Sequence, residues 1–430
     1  MVVEIMEFQE KTYSRVKWSI WWVLTISFVL VLFLRMSTAL ISDNLSNELG
    51  FNSIEISNIA SFTLYSYAFM QIPAGVIIDK FGARNISSLG MIIAGLGSIL
   101  FGFIQNIELA YVSRVMVGAG TSVILLSMFK VQGNWFKKEE FAPASAKFSL
   151  IGNLGSVFAT FPLVLLTEIL GWRSSFILIG LIGILFGISI YFVVRNNPQE
   201  CGFNLNKNKE KTTNRNIKLG LKSVLTKKST LYNSVIMFSL VGVTTAFSSL
   251  WGVSYIVDIY GLSKSVSAFI VSFLTYGLVF GAVVMNILFK KYKGNKFNIV
   301  RLGGLLNLFI WTFIVIAKDV KPSIVFLPVA FFLIGCINMT HLQAFSDVKY
   351  KNKEEYLGLS TSIINTAEFM GSGIINLFIG FMIQINGVGI NGYKKGFMMF
   401  IVMSILTIIA ATIAIKEDKY KYYDELPEVI

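Results

Sequence analysis

Two arginines, one glutamate and one histidine stand inside long apolar stretches of this 430-residue chain. Arg35 lies in Leu32-Phe-Leu-Arg35-Met-Ser37-Thr38, Arg114 in Arg114-Val-Met-Val-Gly118-Ala-Gly120, and Glu368 in Asn365-Thr-Ala-Glu368-Phe-Met-Gly371. An arginine offers forked N–H donors to a carboxylate or phosphate. A carboxyl group enclosed by apolar surroundings can take up and release a proton. A charge at mid-membrane costs roughly 2.5–3.5 kcal/mol on insertion scales, so each needs a partner or a role. Arg35 stands about seventeen residues into its apolar run, roughly 25 Å of helix. It reads as the group that binds an anionic substrate; the alternative is a structural ion pair, with Glu368 as the natural partner. Glu368 and Arg114 are the proton-coupling candidates, against a buried ion pair and hydrogen bonding to neighbouring carbonyls respectively. Trp251, Tyr65 and Tyr276 join Arg35 as substrate-binding candidates, with Tyr67, Gln71 and Asn153 below them. An aromatic belt at the membrane surface would also explain Trp251 and Tyr255. His341, the only histidine, reads as a packing residue near Gln343. With one histidine and only Cys201 and Cys336 as cysteines, the composition speaks against a His-rich metal site and a Ser-His-Asp triad of the usual kind. No cofactor, metal or enzyme activity is expected, and no phosphate-cradling loop provides for ATP.

The elements that must hold these residues are membrane helices. The chain is 54% hydrophobic and 14% charged, with a mean hydropathy of +0.68, whereas soluble domains carry about 25% charged residues. Spans are expected at 18–41, 57–79, 86–105, 108–129, 146–170, 174–194, 231–256, 266–289, 300–317, 322–345, 357–384 and 394–415. Runs of this length fit helices and are too long for barrel strands. Of the 37 Lys and Arg residues, 29 fall in one set of alternating loops and six in the other, leaving Arg35 and Arg114 inside spans. That imbalance places both termini in the cytoplasm of a multi-pass cell-membrane protein. It also accounts for the net charge of +13 without nucleic acid. Residues 1–17 are polar, and no cleavable leader precedes the first span. The Lys- and Asn-rich stretch 195–229 reads as a solvated cytoplasmic linker between residues 1–194 and 230–430, six spans each.

The halves match at an offset of 211 residues: Gly50 falls on Gly261, Ser61 on Ser272, Phe62 on Phe273 and Tyr65 on Tyr276. Between the second and third spans lies Gly75-Val-Ile-Ile-Asp79-Lys80-Phe-Gly82-Ala-Arg84, read as a charged turn on the cytoplasmic face. At the same offset the second half keeps the basic character but has Lys290 for Asp79 and Lys293 for Gly82. The G-x-x-x-D-K-x-G-x-R spacing resembles the loop signature of the major facilitator superfamily. Arg114-x-x-x-Gly118-x-Gly120 is similar to its fourth-helix signature. Gly171-Trp172-Arg173, and Gly152-Asn153-Leu-Gly155 with Pro162, resemble its organic-anion members.

The resemblance implies an all-α integral membrane fold of twelve helices in two pseudo-symmetric six-helix bundles, rocking about a midplane site. It implies a monomeric secondary transporter of a small organic anion or amphoteric metabolite, coupled to protons. Gly75, Asp79, Lys80, Gly82 and Arg84 would then form the cytoplasmic gate. Arg35 is placed like the first-helix arginine of organophosphate antiporters and anion:cation symporters. The seventh span has no second arginine, since Ala246 lies at the repeat offset, which disfavours a phosphate ester. The fifth-span signature of drug/proton antiporters is absent. A drug or amphipathic-compound exporter is the alternative, followed by a transporter-like sensor without flux.

Overall fold

The computed structural model describes residues 2–159, 161–203, 217–316, 322–352 and 356–424. The centre of the expected linker and the loop residues Lys318, Lys321 and Lys353 lie outside them. Every regular element among the described residues is helical. Among the described residues, ten helices are long and apolar enough to cross a membrane, and two bent pairs complete twelve when each pair is one span. We number them α1 Val2–Met36, α2 Ser53–Phe81, α3 Ala83–Gly102, α4 Ile107–Trp135, α5 Lys138–Phe158 with Phe161–Leu170, and α6 Trp172–Val193. The second six are α7 Lys228–Tyr260, α8 Lys264–Lys291, α9 Phe297–Ile316, α10 Phe326–Lys351, α11 Leu357–Asn386 and α12 Ile390–Asp424. Proline explains the two bends: α2 turns by 55° ahead of Pro73 and α5 by 43° ahead of Pro162, because a ring without an N–H breaks the hydrogen-bond ladder.

Local chemistry sets the helix starts. Asn106 Oδ1 accepts the Leu109 N–H at 3.0 Å at the head of α4. Ahead of α2, Asn52 Oδ1 accepts the Glu55 N–H at 3.0 Å, while Glu55 Oε2 accepts the Asn52 N–H at 2.8 Å. This reciprocal box satisfies donors that the first helical turn leaves open. The same position at the repeat offset is Ser263, whose Oγ accepts the Val266 N–H ahead of α8. Gly50 and Gly261, also 211 apart, both take left-handed conformations with φ of +71° and +66°, ending the preceding helices alike. The offset then slips. Helix α3 starts directly after Gly82, whereas residues 292–296 separate α8 from α9. The gap-free repeat therefore holds only through the first two helices of each half.

By contact the chain forms two compact units, Met1–Ser37 with Tyr65–Asn214, and Thr38–Leu64 with Arg215–Ile430. In the first, α3 packs along α4 and α6, and α1 against α5. In the second, α9 packs on α12, α8 on α10, and α7 on α11. Lipid gives little hydrophobic drive between helices, so close backbone approach must hold them. A Cβ on Gly95 would lie 2.6 Å from the Gly180 carbonyl oxygen, and one on Gly180 2.5 Å from that of Gly95. The second unit also holds the stretch 38–64: Ser42 Oγ lies 3.1 Å from Ser254 Oγ, Lys264 pairs with Asp43 at 3.1 Å, and Ser61 Oγ donates to the Gly373 carbonyl at 3.1 Å.

Candidate functional site

Arg35 is the last basic residue of α1, placed just before the chain tightens into the 3-10 turn Ser37–Ile41. Its side chain is buried, and its guanidinium carbon lies 3.7 Å from the centroid of the Tyr67 ring. Tyr67 is itself fully buried on α2. A cation over an aromatic face gains about 2 kcal/mol or more when desolvated. Tyr67, ranked low from sequence, is thus the ring that meets Arg35. Tyr65 is half-buried two residues earlier. The period of an α-helix gave no reason to prefer one over the other.

Arg114 is fully buried in the first unit, its guanidinium 3.5 Å over the Phe101 ring and 5.2 Å over Phe176. None of its three side-chain nitrogens has a hydrogen-bond partner among the described residues. The second unit carries Trp251, Tyr276 and Glu368. Trp251 is 4% exposed, packs edge-on to Tyr393 at 6.2 Å, and its Nε1–H finds no acceptor among the described residues. It ends a π-helical stretch, Phe247–Trp251, the second in α7 after Met237–Val241. Such wide turns recur at functional positions. Tyr276 is more exposed, beside Phe273. Glu368 is half-buried on α11, one turn before Gly371 and Ser372, where Ser372 Oγ donates to the Gly242 carbonyl of α7 at 3.2 Å. His341 forms part of a 3-10 break in α10, with its Nδ1 2.7 Å from the Asn338 carbonyl.

The charged motif takes a different form from the expected turn. Helix α2 runs on through Phe81, so Gly75, Asp79 and Lys80 are helical and the turn is Gly82 alone. With α2 ending at Phe81 and α3 starting at Ala83, only one residue is left to reverse the chain. Gly82 has φ +84° and ψ 150°, a region open essentially to glycine. Asp79 pairs with Lys130 of α4, and the Lys80 ammonium lies 5.1 Å over Phe81. Asn196 Oδ1 accepts the Arg84 N–H at 2.9 Å, and Arg84 Nε donates to the Tyr191 carbonyl at 2.7 Å. Asn196 is held in turn by Glu200, through its own N–H and its Nδ2, both at 3.1 Å. Trp135 Nε1 donates to the Arg195 carbonyl at 2.9 Å, and Phe203 stands edge-on to Tyr13 at 5.4 Å.

Residues 195–203, read as solvated linker, are thus folded back around a 3-10 turn, Pro198–Cys201, and clasped by the motif. At the far end of that stretch, Ile217–Leu225 forms a helix with Val224 buried. Its polar composition concealed single anchoring residues of this kind.

A second clasp escaped sequence reading. Asp347 accepts hydrogen bonds from Tyr232 Oη at 2.8 Å and Asn233 Nδ2 at 2.7 Å, and pairs with Lys351 at 3.0 Å. Lys351 also reaches Asp418 at 2.6 Å, and Asn295 donates to Asp418 at 3.0 Å. This ties α7, α10, α12 and the α8–α9 connection together. The only signal in the sequence was the Asp347/Lys351 spacing of four.

A family model described as Major Facilitator Superfamily matches residues 23–375. The chain belongs to this superfamily. It is a multi-pass membrane protein of a transporter family, not an enzyme family. Similar proteins include the probable galactarate/D-glucarate transporter of Bacillus subtilis, 23% identical, with 89% of this chain and 90% of that protein covered. The probable L-galactonate transporter of Escherichia coli is 28% identical, over 38% of this chain and 36% of that protein. The hexuronate transporter of Bacillus subtilis is 25% identical over 60% and 61%. The chain therefore spans well under two thirds of some relatives' length and nine tenths of another. Among solved structures, a bacterial homolog of the human lysosomal transporter Spinster, inward-facing and unoccupied, gives a TM-score of 0.74 at 15% identity, covering 96% of this chain and 99% of that one. A D-xylose-proton symporter gives 0.69 at 13%, covering 92% and 96%. These structures share the fold with this superfamily member.

Proposed function

We propose that the chain is a secondary active transporter carrying a small organic anion of the sugar-acid class across the cytoplasmic membrane by alternating access, coupled to protons. The observation that carries this reading is Arg35, a buried guanidinium stacked on Tyr67 within a membrane helix. Relatives named as probable L-galactonate, probable galactarate/D-glucarate and hexuronate transporters carry the names of carboxylates, and a forked donor suits a carboxylate. A phosphate ester would call for more positive charge. Helix α7 has no Lys or Arg from Ser229 to Tyr260, and Ala246 at the repeat offset is buried and apolar.

In this reading Trp251, Tyr65 and Tyr276 supply ring faces and polar handles for the hydroxylated part of the substrate; the unmatched Trp251 Nε1–H supports that role. Glu368 takes up and releases the coupling proton. Arg114, buried in the first unit, takes part with Glu368 in the proton coupling. Gly75, Asp79, Lys80, Gly82 and Arg84 act at the cytoplasmic gate. The moving bodies are residues 1–194 and 230–430, joined by 195–229, with both termini cytoplasmic and a single chain sufficient for transport.

The test is uptake into proteoliposomes across a panel of sugar acids, amino acids, phosphate esters and amphipathic drugs, with and without an inward proton gradient. Saturable uptake confined to sugar acids is expected. Arg35→Ala should lower it by about 10–100-fold, the worth of a hydrogen bond to a charged group. If that variant transports normally, Arg35 is not the anion site. Glu368→Gln should abolish gradient-driven accumulation while sparing substrate exchange.

A further inference from the structure

Helix α1 begins well before its apolar run, and residues 11–23 carry an ordered pattern. Lys11, Ser14, Arg15, Trp18, Ser19, Trp22 and Val23 recur at intervals of three and four, so they share one face of the helix. With Val193 at the end of α6 they line an open groove of about 750 Å³. The opposite face is fixed inward. Lys17 pairs with Glu140 at 3.0 Å, Tyr13 Oη donates to the Trp135 carbonyl, and Trp21 is 2% exposed. The stripe is therefore presented outward in one orientation.

Its chemistry changes along the helix. Lys11 and Arg15 are both exposed and stand one turn apart, about 6 Å. Ser14 and Ser19 supply hydroxyls beside them. The indoles of Trp18 and Trp22 follow, and beyond Val23 the outward face is apolar, with Ile26 43% exposed. From Trp18 to Met36 the helix rises about 28 Å, close to the roughly 30 Å of a bilayer's hydrocarbon layer. Trp18 then marks the edge of that layer, where indoles are enriched. Lys11 and Arg15 lie about 5–10 Å beyond it, level with lipid phosphates.

We propose that this groove binds the phosphodiester headgroup of an anionic phospholipid. Lys11 and Arg15 hold the phosphate, Ser14 and Ser19 face the glycerol backbone, and Trp18, Trp22 and Val23 flank the first carbons of the acyl chains. A soluble phosphate would use only the basic end, leaving the indoles and Val23 without a role. The inference rests on the membrane-spanning fold and is independent of the substrate.

Full-length protein, delipidated in neutral detergent, is to be titrated with phosphatidylglycerol, phosphatidylcholine or inorganic phosphate and read by native mass spectrometry. Phosphatidylglycerol should be retained in preference to phosphatidylcholine by about fivefold for each basic residue engaged, with no phosphate adduct. The Lys11→Gln/Arg15→Gln variant should lose the preference, and Trp22→Ala should weaken retention of both lipids. Equal retention of the two lipids, or an unchanged preference in the double variant, overturns the proposal. So does saturable binding of inorganic phosphate that displaces the lipid. Should the double variant fail to elute as a single species, Arg15→Gln alone carries the same test with part of the effect.

Discussion

Gly82 and Gly75 belong to one motif but carry different physical burdens. A Cβ on Gly82 would sit 2.8 Å from Asn196 Oδ1 and would demand a positive φ. Gly75 is helical with nothing within 4 Å of an added Cβ. Gly82→Ala should therefore cost about 1–3 kcal/mol, seen as a lower melting temperature in detergent, whereas Gly75→Ala should be neutral or slightly stabilising. Equal effects would remove the distinction. A second residue-scale prediction concerns Glu140. Burial alone would raise its carboxyl, but the Lys137 N–H at 3.0 Å and the Lys17 ammonium hold it below the ordinary 4.5. Because the folded value lies below the unfolded one, its stabilising effect is complete above pH 4.5 and is lost as pH falls through the folded value. Glu140→Gln should lower the melting temperature at neutral pH and converge with the parent below that window. The charged residues inside spans were legible because lipid leaves a charge so few excuses. Their partners were not, since Phe101, Phe176 and Tyr67 are ordinary in a chain with 37 phenylalanines and 16 tyrosines.

Helices show the same division at their own scale. Span number and near-terminal boundaries followed from apolar run length, and Asn52, Ser263, Gly50 and Gly261 announce helix ends by type. The π-helical turns of α7 and the 3-10 break at His341 have no comparable signature, because packing against neighbouring helices sets them. The repeat at 211 was readable only as far as the connection lengths agree. Glycine crossings were ambiguous too, since 35 glycines do not reveal which face a backbone. Gly95→Leu should push α3 from α6 and lower the melting temperature by more than Gly133→Leu, whose added Cβ would meet nothing within 4 Å. A similar loss from both would mean that helix propensity, not the crossing, dominates.

At the scale of the molecule, the division between the two compact units falls just after α1, at residues 37/38, and within α2, at residues 64/65. If α2 and the stretch leading to it from α1 move with the first unit during transport, the contacts of residues 38–64 within the second unit must break in every cycle. Ser42 and Ser254 test this, with their hydroxyl oxygens 3.1 Å apart. The Ser42→Cys/Ser254→Cys variant should lose transport on oxidation and regain it on reduction, while each single variant stays active. Persistent transport with the bond formed would show that the stretch can remain in place. The contact between Tyr13 and Phe203 has a different kind of consequence. It brings the beginning and the close of one six-helix half within a ring's width of each other. A gene segment encoding such a half can be copied and spliced in tandem without rethreading either copy. The same closure makes the half a natural subject for circular permutation, with new ends opened at an exposed connection.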